Sequence, residues 1–326
     1  MKTITILIPA YNEEESINFL YERLGSVVKA LTQYRFEILF VNDGSTDATL
    51  DIIKSLRKSD RLISYVNLSR NFGKETAMIA GLDHARGDAL IIIDADLQDP
   101  PELILEMVKY WEMGYDDVYA RRRSRLGESV VKKGTANLFY YLIQKTTSIP
   151  LQKNTGDFRL LDRRCMEALK QLRETHRYTK GLFSWIGYDK KEILFDRDPR
   201  IAGKTKWNYL KLVNLAVEGI TSFTISPLRM STILGGAISL LSFLYIIWVI
   251  IKTFLWGEPV RGYPSLLVTI LFLGGIQLIF LGIIGEYVGK IFNESKNRPL
   301  YFVNEYNDKR ISNHSIQKNE ELIYRV

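Results

Sequence analysis

Over its first hundred residues the chain alternates short apolar runs with stretches whose apolar residues recur at helical spacing. Thr3 to Pro9 is a β-branched run and predicts a first strand. Glu14 to Leu31 places Ile17, Leu20, Leu24, Val27, Val28 and Leu31 on one helical face, with Asn12 as a candidate cap. Phe36–Asn42 and Ile63–Leu68 predict further strands, and Thr49–Lys58 and Lys74–Ala85 further helices. A fourth strand is predicted over Leu90–Asp96. Strands separated by helices imply βαβ units and a mainly parallel α/β sheet. From there to about residue 200 the alternation loosens, with Asp117–Ala120 as one more strand.

The pattern changes after Met230. Met230–Ile251 runs about 22 residues without a charge, and Leu266–Ile284 about 19. At ~1.5 Å per residue either run is long enough for a hydrocarbon core of ~30 Å. Two transmembrane spans are therefore expected, over about 230–251 and 266–288. Gly235-Gly236 and Gly274-Gly275 offer close-packing faces and leave room for a homo-oligomer. Trp207–Phe223 is amphipathic, with Trp207 and Tyr209 as aromatic anchors, and is expected to lie in the membrane interface before Pro227. Arg229 flanks the first run, and Lys290, Lys296 and Arg298 follow the second. The positive-inside rule then puts both ends of the hairpin, and the domain before it, in the cytoplasm. Ile4–Ala10 is too short for a signal peptide and is followed by Glu13-Glu14-Glu15. The expected organisation is a catalytic domain over 1–205, an interfacial region over 206–228, a membrane hairpin over 229–290 and a polar tail over 291–326.

Composition narrows the chemistry. The 326 residues are 46% hydrophobic and 25% charged, with a net charge of +7. No nucleic-acid module accompanies that charge, which leaves anionic lipid or phosphorylated substrates as partners. One cysteine, Cys165, excludes an intrachain disulfide and a Cys-based zinc site. The three histidines are not spaced as metal ligands, so any metal is expected to be a hard cation held by oxygen.

The apolar run Ala89–Ile93 ends in Asp94-Ala95-Asp96. Open α/β sheets bind ligands at the carboxyl ends of their strands. Mg²⁺ typically takes one or two carboxylates plus substrate phosphates, so the pair suggests a metal that grips a diphosphate. Alone the signal is weak, because D-x-D arises by chance and polar residues often simply end a strand. Pro9-Ala10-Tyr11-Asn12-Glu13 and Val41-Asn42-Asp43-Gly44-Ser45 are expected at the same edge, and their convergence strengthens it.

Together these segments resemble the family-2 inverting glycosyltransferases of the GT-A, Rossmann-like fold. With Asn71-Phe72-Gly73-Lys74 and Gly156-Asp157-Phe158-Arg159-Leu160, the chain looks like the polyprenyl-phosphate branch, which includes dolichyl-phosphate mannose synthases and bacterial bactoprenol glucosyltransferases. The resemblance implies that Pro9, Tyr11, Glu13, Val41 and Asp43 hold the nucleoside. It implies that Asp94, Ala95, Asp96 and Gln98 surround the diphosphate, with Asp94, Asp96 and Gln98 at an Mg²⁺ or Mn²⁺ ion. Arg122 aligns with an arginine near the diphosphate, and Arg200 and Lys206 with a loop that closes over it. Lys132 and Lys133 are candidates for the acceptor phosphate. Asp157 replaces a serine common in the mannose synthases, and either orients the sugar or acts as a base. The implied activity is inverting transfer of a sugar, glucose from UDP-glucose, to polyprenyl (undecaprenyl) phosphate. Two rivals stand beside it. A processive polysaccharide synthase is disfavoured because Gln-x-x-Arg-Trp is missing. A non-catalytic nucleotide-sugar sensor or flippase partner is disfavoured by the intact acidic strand ends.

Overall fold

The computed structural model describes residues 1–123, 155–175, 179–196, 226–256, 262–307 and 309–310. Five strands come first in order: β1 (Thr3–Ala10), β2 (Arg35–Asn42), β3 (Ile63–Leu68), β4 (Ala89–Ile92) and β5 (Asp117–Arg122). They are joined through α1 (Ile17–Ala30), α2 (Thr49–Ser59), α3 (Lys74–His84) and α4 (Ile104–Glu112). There follow β6 (Thr155–Asp162), α5 (Arg163–Gln171), α6 (Thr179–Trp185) and β7 (Lys190–Phe195). Two long helices, α7 (Ser226–Trp256) and α8 (Tyr263–Ser295), precede β8 (Val303–Tyr306) and β9 (Lys309–Arg310).

The chain separates into two compact units. The first holds everything described before residue 197 together with the residues from Pro299 onward, and the second holds α7 and α8.

In the first unit nine strands form one sheet in the order β7-β5-β6-β4-β1-β2-β3-β8-β9. β1 pairs in parallel with both β2 and β4, β2 with β3, and β5 with β7. β6 runs antiparallel between β4 and β5, and β8 and β9 add antiparallel pairs at the far edge. The sheet is therefore mixed, not mainly parallel as the early alternation predicts. The early strands are buried on both faces, which is why they read as near-continuous apolar runs. α1 covers the sheet with Ile17, Leu20, Leu24 and Val27, the face its periodicity predicts. Asn12 does not cap that helix. It takes a left-handed conformation (φ 56°), and its Oδ1 accepts from the Thr46 amide at 2.9 Å.

Within the segment expected as a polar tail, 291–326, residues of β8 and β9 extend the sheet. β8 pairs with β3, Tyr65 Oη donates to Glu305 Oε1 at 2.8 Å, and Lys54 Nζ lies 2.8 Å from Glu305 Oε2. The Ser69 amide donates to the Phe302 carbonyl at 2.9 Å, and Tyr301 Oη to Asp83 at 2.7 Å. The hydropathy pattern carries no sign of this, because edge pairing uses backbone groups that every residue has.

In the second unit, Pro227 and Pro264 lie in the first turns of α7 and α8, where a missing N–H costs no helical bond. Among the described residues, Phe272–Ser295 in α8 is long and apolar enough to cross a membrane by length and composition. Among the described residues of α7, an apolar helical segment runs over Met230–Tyr245. Ile233, Leu241, Phe254, Leu278 and Leu281 all expose their side chains. A Cβ on Gly235 would lie 3.4 Å from the Phe280 ring, but at Gly236, Gly274 and Gly275 no described atom comes within 4 Å. Only Gly235 of the four expected packing glycines therefore faces a neighbour among the described residues. The expected interfacial helix, Trp207–Phe223, lies outside the described residues.

Candidate active site

Chain order within the sheet reverses direction between β1 and β4, and at such a point the loops beyond the strand ends part to leave a crevice. A cavity of about 220 Å³ lies there. It is lined by Pro9, Ala10, Tyr11 and Glu13 after β1, Asp43 after β2, Asn71, Gly73, Lys74 and Ala77 around the start of α3, and Asp94, Ala95 and Asp96 after β4.

Register explains this grouping. Leu7 pairs with Ile92, so two residues on Asp94 comes level with Pro9, itself opposite Val41. On the other side of β4, Ile92 pairs with Arg159 of antiparallel β6. Two residues on, Asp94 comes level with Asp157. β4 itself stops at Ile92, so Asp94 and Asp96 sit in the loop that follows rather than in the strand. Leu97 adopts φ 58° there, and the Gln98 amide donates to Asp96 Oδ1 at 3.2 Å.

Lys74 joins the carboxylates of Asp94 and Asp157. Its Nζ lies 2.6 Å from Asp94 Oδ1, donates to Asp94 Oδ2 at 2.8 Å, and donates to Asp157 Oδ2 at 2.5 Å. Burial pushes the Asp157 carboxyl up, but Lys74 and then Lys180 outweigh it and hold the group well below the usual range. Burial pulls the Lys74 ammonium down, and Asp94 and Asp157 more than reverse this. Asp157 Oδ1 is buried without a hydrogen-bond partner among the described residues. Next along α3, Glu75 accepts from the Thr179 amide at 3.2 Å and from the Thr179 hydroxyl. Burial first and the Asp157 charge second push Glu75 up to about 7, against Lys74 and Lys180.

The loops behind the cavity are stitched to one another. Asp43 accepts from the Phe72 amide at 2.7 Å and the Gly73 amide at 2.9 Å, which fixes the start of α3. Burial nonetheless leaves its pKa raised, since these two bonds only partly oppose desolvation. Gly44 (φ 64°) passes so close to this loop that a Cβ would lie 2.5 Å from the Arg70 carbonyl carbon. No side chain fits there, whatever its polarity.

The sequence-derived candidates thus fall into three groups. Pro9, Tyr11, Glu13, Asp43, Asp94, Ala95 and Asp96 line the cavity, and Asp157 meets it through Lys74. Val41 is fully buried in β2 and does not line it. Gln98 and Arg122 also stand off the lining. Arg122 ends β5 near Gly156, where a Cβ would be 3.7 Å from Arg122 Nη2 and 3.8 Å from Asp99 Oδ2. Lys132, Lys133, Arg200 and Lys206 lie outside the described residues. Lys74 and Glu75 are site residues for which the sequence motifs predict no role. Lys74 closes the segment Asn71-Phe72-Gly73-Lys74 that carries part of the family resemblance, but the resemblance assigns it no role, and Glu75 follows it at the start of a helix after a buried strand. Asp94 and Asp96 are the available metal donors. Among the described residues no group of three or more His, Cys, Asp or Glu side chains is arranged to hold an ion.

Residues 5–170 match the family model Glycosyl transferase family 2, and residues 226–291 match the GtrB C-terminal hairpin. The chain belongs to glycosyl transferase family 2. An uncharacterized glycosyltransferase of Synechocystis sp. is 55% identical over 302 residues, 93% of this chain and 95% of that protein. A bactoprenol glucosyl transferase of Shigella phage SfV is 48% identical over 300 residues, 92% of this chain and 97% of that protein. Among solved structures, glucosyl-3-phosphoglycerate synthase from Mycobacterium tuberculosis is similar at a TM-score of 0.48 and 22% identity, over 68% of this chain and 76% of that one. For this family-2 glycosyltransferase, the cavity at the reversal between β1 and β4 is the candidate donor site.

Proposed function

We propose that this glycosyltransferase moves glucose from UDP-glucose to a polyprenyl phosphate, with inversion at the anomeric carbon. The observation that carries the reading is the 48% identity to a bactoprenol glucosyl transferase, which runs through both the catalytic unit and the hairpin segment. The cavity chemistry supports it: carboxylates and backbone groups converge where a nucleoside diphosphate would sit. In the same reading α7 and α8 form a two-helix anchor, with the catalytic unit and both termini on the cytoplasmic side, so that the enzyme stays at the bilayer that holds its lipid acceptor. The exposed apolar side chains of both helices support this.

In the proposed reaction an oxygen of the acceptor phosphate attacks the anomeric carbon. The bond from that carbon to the diphosphate oxygen breaks, and the nucleoside diphosphate leaves with the electron pair. A phosphate monoester has a second pKa of about 6, so the nucleophile is already largely ionised and needs little help from a base. Asp157 is accordingly assigned to orienting the sugar and acceptor. Pro9, Tyr11, Glu13 and Asp43 hold the nucleoside. Arg122, with Arg200 and Lys206, supplies positive charge for the leaving group.

Asp94 and Asp96 fit Mg²⁺ or Mn²⁺. Two carboxylates lining the cavity, with no third acidic ligand grouped with them among the described residues, suit a hard ion that completes its shell with substrate phosphates. When bound, such an ion would stabilise the charge that develops on the leaving diphosphate.

The test is transfer of labelled glucose from UDP-glucose to undecaprenyl phosphate by the purified full chain in detergent, beside a panel of other nucleotide-sugars. A glucosylated lipid supports the reading. Its absence with every donor, or product from another sugar alone, overturns it.

A further inference from the structure

Continuing the β4–β6 register past Ile92 brings Asp94, in the loop after β4, level with Asp157 of β6, and two carboxylates side by side repel. The ammonium that contacts both carboxylates belongs to neither strand. It is that of Lys74, the first residue of α3, whose Nζ touches both at 2.5–2.8 Å.

Three features separate this contact from an ordinary structural ion pair. First, the Lys74 side chain lines the cavity and keeps 42% of its exposure, so a ligand entering the cavity meets it. Second, its backbone is fixed: Asp43 holds the Phe72 and Gly73 amides immediately before it. Third, lysine is a compact point charge on a flexible four-carbon stem, suited to giving up one partner while keeping another. In the functional reading above, Asp94 is the carboxylate that a divalent ion takes, and Asp157 is the one that orients the sugar.

We propose that Lys74 is a positioning residue of the transfer reaction: its ammonium holds Asp94 and Asp157 together in the unloaded cavity and, when the divalent ion takes Asp94, stays on Asp157 and keeps that carboxylate aimed at the reacting sugar. This rests on the transfer reading above, but its central consequence is independent of turnover. The ammonium competes with a divalent ion for Asp94, so the unloaded enzyme binds the ion less tightly than its carboxylates alone would. Binding and alignment of Asp157 are thereby linked through one side chain.

The experiment is a Mn²⁺ titration of the full chain in detergent without nucleotide-sugar, followed by the electron paramagnetic resonance signal of free Mn²⁺. Lys74→Met is expected to bind Mn²⁺ about tenfold more tightly than the parent, because a positive charge in contact with the ligand set is removed. Lys74→Arg, which keeps the charge, is expected to stay near the parent. In transfer assays Lys74→Met should lose kcat by about 100-fold, as expected for a misplaced group at the reacting centre, with a smaller change in the donor KM. A variant that has merely lost its fold would bind Mn²⁺ more weakly, not more tightly. Equal or weaker Mn²⁺ binding by Lys74→Met than by the parent overturns the proposal, as does a parent that binds no Mn²⁺. A parent that binds Mn²⁺ but glucosylates no lipid overturns the functional reading instead, and the Mn²⁺ comparison still decides the role of Lys74.

Discussion

Strand β6 carries two charged side chains two residues apart, Asp157 and Arg159, whose surroundings are opposite. Arg159 is sealed in the core with Asp117. Its Nη1 donates to Asp117 Oδ2 at 3.0 Å, neither side chain has any exposure, and its guanidinium lies 3.7 Å from the centre of the Phe183 ring. Asp157 is nearly as buried, but its partner Lys74 opens onto the cavity. Burial wins at Asp117, where the carboxyl is pushed up in spite of Arg159 and Lys190. At Asp157 burial also pushes up, but Lys74, Lys180 and Arg159 together hold it down. A pair closed on all sides organises the core, whereas a pair with an accessible cation can be rearranged by a ligand. Similar chemistry on one strand thus serves structure at one position and function at the other.

The sharpest way to break this contrast is to neutralise each side in turn. Asp94→Asn and Asp157→Asn should each lower lipid glucosylation by about 1000-fold, equivalent to ~4 kcal/mol of transition-state stabilisation. Both should leave the thermal melting temperature close to the parent's. Loss of stability without loss of turnover would place Asp157 with Arg159 as a core residue.

Arg159→Met should do the reverse. Stranding Asp117 in the core should cost about 3–5 kcal/mol in urea unfolding. A double replacement, Arg159→Met with Asp117→Leu, should recover most of that loss, since an apolar pair of similar volume leaves no buried charge. If the double variant is as unstable as the single one, the pair is more than a compensated charge.

Glu75 tests how far the cavity's electrostatics reach. Its folded pKa, about 7, lies above that of an ordinary glutamate, so the fold favours the protonated form. The stability it contributes is complete below about pH 4.5 and is lost as pH rises through 7. Glu75→Gln should therefore flatten the fall in stability between pH 5 and 8, by about 2 kcal/mol at the alkaline end. An unchanged pH profile would detach Glu75 from the Asp157 charge. The smallest effect is expected on the surface. Removing the exposed Arg23–Glu102 bridge with Glu102→Gln should change stability by less than about 1 kcal/mol.

Much of the donor side is legible in the amino-acid pattern. Apolar runs bounded by Gly, Pro and Asp mark β1 to β4, and their ends carry Tyr11, Glu13, Asp43, Asp94 and Asp96 into one cavity. These signals are local, because a strand buried on both faces must be apolar along its length. Beyond Asp99 the pattern weakens. α4, β6 and β7 have no counterpart among the predicted elements. In β6 the apolar run is interrupted by Asp157 and Arg159, charges whose partners lie 83 and 42 residues away. A charge in a strand signals an exposed position until its distant partner is known.

Local pattern was enough to set the order of the early strands and helices, the acidic residues at their ends, and the apolar character of the segments after Met230. What those residues meet was settled by the folded chain alone. Folding made the sheet mixed by inserting β6 beside β4, drew β8 onto its edge, and brought Asp94 and Asp157 level under one ammonium. The physical reason is that strand pairing and charge compensation act between residues far apart in the chain. Hydrophobic pattern records which positions are buried, not which partner makes a buried charge tolerable.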